Sequence, residues 1–280
     1  MSELEELYSL LKWNSNPRTA EGKCRIFEIL ENMKKVLEHE WIKNIVGTRK
    51  KVRIVDLCSG GGVAGFALAR LLVDRGVEVS LTLVDLRRKE LFDGWLYAKE
   101  VFPEVEIDAV ALDVKDIEKL GKSFDIALIW GLSLPHFSPW DFLKLLNAVR
   151  KCLSSDGILM IEECDRFVTI FGSIGYRYVI PEGRSEKPVV SIHNGYDYVT
   201  GMCRRIVVDL STGRYVHASV CVLWTIPFIA SFVWMFFEDI DVIDLSMREG
   251  VRTVVLGCRP RKGIDLDFVS RNVPTILRKR

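Results

Sequence analysis

The chain has 280 residues, 49% hydrophobic and 28% charged, with 39 Lys and Arg against 38 Asp and Glu for a formal net charge of +1. That composition excludes wholesale disorder and collagen-like or disulfide-dense chains. It also lacks the positive field of proteins that live on phosphate backbones, so no nucleic-acid partner is expected.

The opening residues, MSELEELYSLLKW, carry acids where an export signal needs basic residues and an apolar run, which predicts a cytoplasmic protein. Leu4, Leu7, Leu10 and Leu11 share a helical face. After a loop at 14–18, apolar residues from Ile26 to Ile45 recur at helical spacing, making residues 1–46 a helical cap of two elements. Strands are predicted at 52–57, 77–85, 105–114, 124–130 and 157–163, alternating with helices at 63–74, 89–101, 117–121 and 139–153. Such alternation implies a parallel sheet with right-handed crossovers. Beyond Cys164 the chain turns β-rich, forming an insertion at about 165–223 with a hairpin of 203–210 against 214–223.

The run 220–237 is eighteen residues without a charge, the lower limit for a membrane span. Pro227 argues against a span. The alternation before it predicts a strand ending near Trp224, then a buried helix with Pro227 in its first turn, so no membrane partner is expected. Strands at 239–245 and 251–258 follow, joined closely enough to be antiparallel. The main domain is thus placed at 47–260, and 261–280 is a polar, basic tail ending in a solvated Arg278-Lys279-Arg280. Seven cysteines without a CxxC pair suggest neither a disulfide framework nor a metal site. Absence of glutamine points to a thermophilic source, while the cysteine count points the other way.

The stretch 52–70 carries the chemistry: a hydrophobic strand, an acid, a glycine-rich turn and an Ala/Leu helix. Gly60, Gly62 and Gly65 satisfy G-x-G-x-x-G, and Asp85 lies at the end of the next strand. Asp56 would repel the pyrophosphate that a dinucleotide brings to such a helix N-terminus. S-adenosylmethionine brings an ammonium and a sulfonium and no phosphate, which suits Asp56; the same carboxylate equally suits capping loop amides.

Asp56–Gly62, Asp85, Asp113 and the segment 124–139 resemble the successive motifs of class I S-adenosylmethionine-dependent methyltransferases over about residues 50–165. The resemblance implies an α/β fold with a Rossmann-like class I methyltransferase sheet, mostly parallel with an antiparallel final strand. It implies S-adenosyl-L-methionine as cofactor, held by Asp56, Cys58, Gly60, Gly61 and Gly62 at the turn. Asp85 then accepts both ribose hydroxyls, as a two-oxygen acceptor can, above Leu86 at the adenine. Asp113 and the Val114 amide meet the adenine edge, although a strand-end acid also suits a helix cap.

Trp130–Phe137, reading WGLSLPHF, resembles the G-N-S-x-x-H segment of glycine N-methyltransferase-like small-molecule enzymes, with Leu132 in place of the asparagine. It puts Trp130 and Gly131 at the cofactor. His136, beyond the end of the fourth strand where open α/β sheets bind ligands, is the candidate general base, and equally suits capping the helix at Pro139 or contacting the cofactor. Arg18–Lys23, reading RTAEGK, resembles the R-T-x-E-Y-K of the same enzymes, so that Arg18 pairs with the methionine carboxylate. Gly22 stands where that motif has an aromatic.

The insertion, with Tyr176, Tyr178, His193, Tyr196, Tyr198, Arg204 and Arg205, is the candidate acceptor cover. Tyr196, Tyr198, Arg204 and Arg205 are the candidate acceptor contacts, and alternation lets only one of the two arginines face a pocket. Neither an Asn/Asp-Pro-Pro-Tyr/Phe motif nor a Pro-Cys follows the fourth strand, which disfavours base methylation. The expected function is methyl transfer to a nitrogen or oxygen of a small-molecule acceptor. An NAD-dependent oxidoreductase would keep the glycines and Asp85 but leave Asp56 and Asp113 without a task. A non-catalytic S-adenosylmethionine-binding protein would keep every feature and lack turnover.

Overall fold

A computed structural model describes all residues except 1–2, 12–15, 176, 184–186, 222–223, 247–251, 264, 268–270, 272–277 and 279–280. Tyr176, Lys279 and Arg280 therefore lie outside the described residues.

Three helices precede the first strand: α1 (Glu3–Leu10), α2 (Ala20–Val36) and α3 (Glu40–Thr48). The sequence pattern predicts two. The extra break falls at His39, which leaves helical backbone and accepts a hydrogen bond from Trp41 N through Nδ1 at 3.3 Å, capping α3.

The alternating core follows as β1 (Lys51–Leu57), α4 (Val63–Val73), β2 (Glu78–Asp85), α5 (Arg88–Val101), β3 (Glu106–Ala111), β4 (Phe124–Ile129), α6 (Pro139–Cys152) and β5 (Leu153–Glu163). A 3₁₀ helix, Val114–Leu120, links β3 to β4 and starts earlier than predicted because Asp113 caps it, accepting from Lys115 N at 3.0 Å. The insertion forms a separate antiparallel sheet in the order β6 (Val179–Pro181), β7 (Val189–Asp197), β8 (Met202–Asp209), β9 (Tyr215–Val220). It enters and leaves at one point, where Arg166 N donates to Trp224 O at 2.9 Å and Ile226 N to Asp165 Oδ2 at 3.0 Å.

The chain closes with α7 (Ile226–Phe236), β10 (Phe237–Asp244) and β11 (Thr253–Pro260). Main-sheet order is β10-β11-β5-β4-β1-β2-β3. β11 is antiparallel to both its neighbours and sits between them, leaving β10 at the edge.

One core packs under α2 to α5 and the other under α6 and α7, with β1 feeding both: Val52 and Ile54 face the first, Val55 and Leu57 the second. Each such fully buried side chain contributes roughly 1.5–3 kcal/mol. α7 has Pro227 in its first turn, as predicted, but buries only the stripe Ile229, Val233 and Phe236. Phe228 and Trp234 on its other face are more than half exposed, so the helix is amphipathic in burial though not in composition. Among the described residues no helix is long and apolar enough to cross a membrane. α1 stands apart from both large cores. Leu7 and Leu10 pack instead against Val189, Val207 and Ala218 of the small sheet.

Candidate active site

Strand order reverses between β1 and β4, which opens a crevice beyond their C-terminal ends where open α/β sheets bind ligands. Asp56, at the end of β1, is buried beneath α4, and its Oδ2 accepts from Gly65 N at 2.8 Å. Gly65 is required there, because a Cβ would lie 2.9 Å from that oxygen. Burial pushes the Asp56 carboxyl up to about 7, helped by the charge of Asp85 and opposed by the Gly65 bond and by Arg25. Burial likewise pushes the Cys58 thiol far above its ordinary range, so it is no nucleophile at neutral pH.

Asp85 ends β2. Its Oδ2 accepts from Gly60 N at 2.7 Å, while Oδ1 accepts from Arg87 N at 2.8 Å and Arg87 Nε at 3.2 Å. The amide of Gly62 is also engaged, donating to Ser59 O at 2.8 Å. Thus three amides of the glycine motif, those of Gly60, Gly62 and Gly65, are already satisfied by the protein.

At the end of β4, Gly131 N donates to Glu162 Oε2 at 2.6 Å, and the other oxygen of that buried carboxylate accepts from Arg252 Nε at 2.5 Å. Gly131 has φ +94°, and a Cβ there would meet the Arg25 guanidinium at 2.5 Å, so glycine lets Arg25 of α2 reach across the strand end. Ser59 Oγ and Trp130 Nε1, on two residues that line the cleft, are buried and have no hydrogen-bond partner among the described residues. Leaving such atoms without a partner costs about 1–3 kcal/mol each.

His136 lies on a short 3₁₀ turn, Leu134–His136, beyond β4. Its Nε2 and the Tyr8 hydroxyl of α1 are 2.7 Å apart. Burial, reinforced by Arg87, holds His136 down at about 4, so its ring is neutral at physiological pH. Burial also raises the Tyr8 phenol. Ser138, not His136, caps α6, accepting from Asp141 N at 3.1 Å.

Of the residues singled out in the sequence, Asp56, Cys58, Gly60, Asp85, Leu86, Asp113, Val114, Trp130, Gly131 and His136 line one cleft. Gly61 and Gly62 stand behind it: the Gly61 carbonyl supports α5 at Gly94, and a Cβ on Gly62 would meet Phe66 and Leu83. Arg18 is a correction. It forms a two-point ion pair with Glu100 of α5, at 2.8 and 2.7 Å, on the molecular surface away from the cleft. Gly22 explains the misplaced motif, since any Cβ there would lie 1.8 Å from Asn16 O and no aromatic could follow the Thr19 cap.

The four acceptor candidates also lie outside the cleft. Tyr196 and Tyr198 are 45% and 81% exposed, and Arg204 lies exposed across Gly195. Arg205 is buried inside the small sheet, bound to the hydroxyl and carbonyl of Ser191. The reason is α1, which lies on the sheet's inner face and turns Leu4 and Tyr8 to the cleft in its place. Sequence reasoning missed Tyr8, Arg25, Ser59 and Arg87. Tyr8 alone carried a signal, sharing with Leu4 the i, i+4 spacing of one helical face.

No protein-family model matches the chain, and no curated protein does. Solved structures do. An S-adenosylmethionine-dependent methyltransferase from Clostridium acetobutylicum aligns with TM-score 0.60 at 10% identity, over 91% of this chain and 96% of its own. The PH0226 protein from Pyrococcus horikoshii aligns with TM-score 0.57 at 18% identity, over 91% and 99%. The chain has the class I methyltransferase fold. The sugar N-methyltransferase KedS8 from Streptoalloteichus shares this fold at TM-score 0.50 and 15% identity, over 79% of this chain and 85% of that one. In the class I methyltransferase fold the antiparallel strand between β5 and β10 and the crevice over β1 and β4 are one arrangement, and both are present here.

Proposed function

We propose that this protein is an S-adenosylmethionine-dependent methyltransferase acting on a nitrogen or oxygen of a small-molecule acceptor. The observation that carries it is one cleft holding three strand-end acids, Asp56, Asp85 and Asp113, together with the unsatisfied Ser59 Oγ and Trp130 Nε1 and the Arg25 guanidinium. The donors fit a methionine carboxylate, Asp56 fits its ammonium, and Asp85 fits a ribose diol above Leu86. Asp113 and Val114, which line the same cleft, fit an adenine edge. A dinucleotide's pyrophosphate would meet the carboxylates of Asp56 and Asp85 at a turn where the amides of Gly60, Gly62 and Gly65 are already taken.

Bound there, the cofactor supplies a methyl group already activated by its sulfonium, so the protein's work is alignment, exclusion of water and a destination for the acceptor's proton. Neutral His136, paired with the Tyr8 hydroxyl at 2.7 Å, supplies the polar pair that would orient the acceptor's nitrogen or oxygen and hydrogen-bond its departing proton. α1 closes the cleft beside this pair, which supports a small enclosed acceptor, as does the fold's likeness to a sugar N-methyltransferase.

Calorimetry with S-adenosylmethionine, S-adenosylhomocysteine and NAD tests the cofactor, with binding of the first two and not the third expected. Methyl transfer to a panel of small amines and alcohols tests the acceptor. NAD binding alone would return the chain to the oxidoreductases. Cofactor binding with methylation of RNA, DNA or intact protein and of no metabolite would refute the small acceptor.

A further inference from the structure

α1 contributes no side chain to either large core among the described residues, yet it covers the cleft. Its apolar side belongs to the small sheet through Leu7 and Leu10. Toward the cleft it is held through Tyr8, by the contact with His136 at 2.7 Å and by the Arg87 guanidinium, whose central carbon lies 4.3 Å from the centre of the Tyr8 ring. Arg87 is itself nearly buried, its side chain 8% exposed, and its ion-pair partner is Asp85. A desolvated guanidinium over a ring face is a strong form of this contact, provided an anion fixes the cation. Asp85 therefore serves two neighbours, the ribose site and α1.

We infer that Arg87 is a positioning residue that, anchored on Asp85, holds Tyr8 and with it α1 over the cleft. This goes beyond the cofactor assignment, resting on the cleft's function only in naming what is covered. The prediction is a chain of dependence, Asp85 to Arg87 to Tyr8 to α1, in which removing any middle link releases the same element.

Hydrogen exchange of residues 4–10 in the ligand-free full chain tests it. Arg87→Met is expected to speed their exchange at least tenfold while β1 and β4 stay protected, and Arg87→Lys to restore part of the protection. Tyr8→Ala, which also loses the His136 contact, should speed exchange at least as much as Arg87→Met, and the double variant should exchange no faster than Tyr8→Ala alone. A second readout is the His136 titration followed by NMR. That ring faces Tyr8, Arg87 and Asp85 and feels Arg166, and uncovering it by Tyr8→Ala should move its midpoint up from about 4 toward its ordinary value.

Unchanged exchange in Arg87→Met, or additive effects in the double variant, overturns the inference. Should Arg87→Met fail to fold, Arg87→Lys and Tyr8→Ala carry the same comparison. S-adenosylhomocysteine should dissociate faster from the released variants. If it does not bind the wild-type protein at all, the cofactor assignment falls while the exchange of α1 still decides this one.

Discussion

Arg18 and Arg25 stand seven residues apart at the start of the same helical region, and only the second reaches the cleft. The difference lies in their partners: Glu100 of α5 holds Arg18 outside, while Gly131 leaves room for Arg25 inside. Arg25→Met is expected to weaken S-adenosylhomocysteine binding by about 1.5–3 kcal/mol, the range for a hydrogen bond to a charged group, while Arg18→Ala leaves it unchanged. Asp85→Ala should cost a similar amount, roughly 1–3 kcal/mol, by removing a charged acceptor. Calorimetry on the three variants checks both, and a loss with Arg18→Ala would restore the original motif alignment.

Asp56 makes a pH prediction with a definite sign. Its folded value, about 7, lies above the ordinary carboxylate value near 3.9. The stability it contributes is therefore present below pH 4 and is lost as pH rises through 7. Relative to Asp56→Asn, the wild-type ligand-free protein should lose melting temperature between pH 5 and pH 8. A cationic ligand lowers that value, so binding near pH 7 should release protons, measurable as a dependence of the calorimetric heat on buffer ionisation enthalpy. Proton uptake would contradict a cation at Asp56. The strand-end acids were legible in sequence because their roles are local, a residue or two from a strand end. Tyr8, Arg25 and Arg87 were not, since each depends on where a separate helix comes to rest.

Among the elements, α5 shows how a helix without catalytic side chains shapes the site. Gly94 lets it press on the glycine turn, and a Cβ there would lie 2.3 Å from the Gly61 carbonyl. Gly94→Ala is expected to cost about 1–3 kcal/mol of stability, as overpacking does, and to weaken cofactor binding although residue 94 does not line the cleft. Thermal melts and calorimetry read the two effects together, and a variant with wild-type values in both would show that the turn yields freely. β10 and β11 carried a legible clue to their order. The sequence of β10, FEDIDVID, is acidic as an edge strand should be, whereas TVVLGCRP of β11 is almost wholly buried and central. The position of α1 had no such clue, because its leucine stripe fits a small sheet as well as a large core.

For the whole molecule, a ligand that binds only the folded chain raises its stability by mass action. S-adenosylhomocysteine at a hundred times its dissociation constant should add about 2.7 kcal/mol and raise the melting temperature by several degrees, with NAD giving no shift. Equal shifts from both ligands would mean that the cleft reads only an adenosine.

The clamp of Arg166 on Trp224, with Ile226 on Asp165, has a consequence for how such a protein can change over time. A segment whose two feet share one anchorage is a side branch of the chain, and lengthening, shortening or replacing it alters no register in the seven-stranded sheet. Selection can therefore rework the small sheet, and the α1 face that rests on it, while the strand ends that line the cleft stay fixed. The wall of the cleft formed by Leu4 and Tyr8 is free to drift, and the wall formed by the strand ends is held by the sheet.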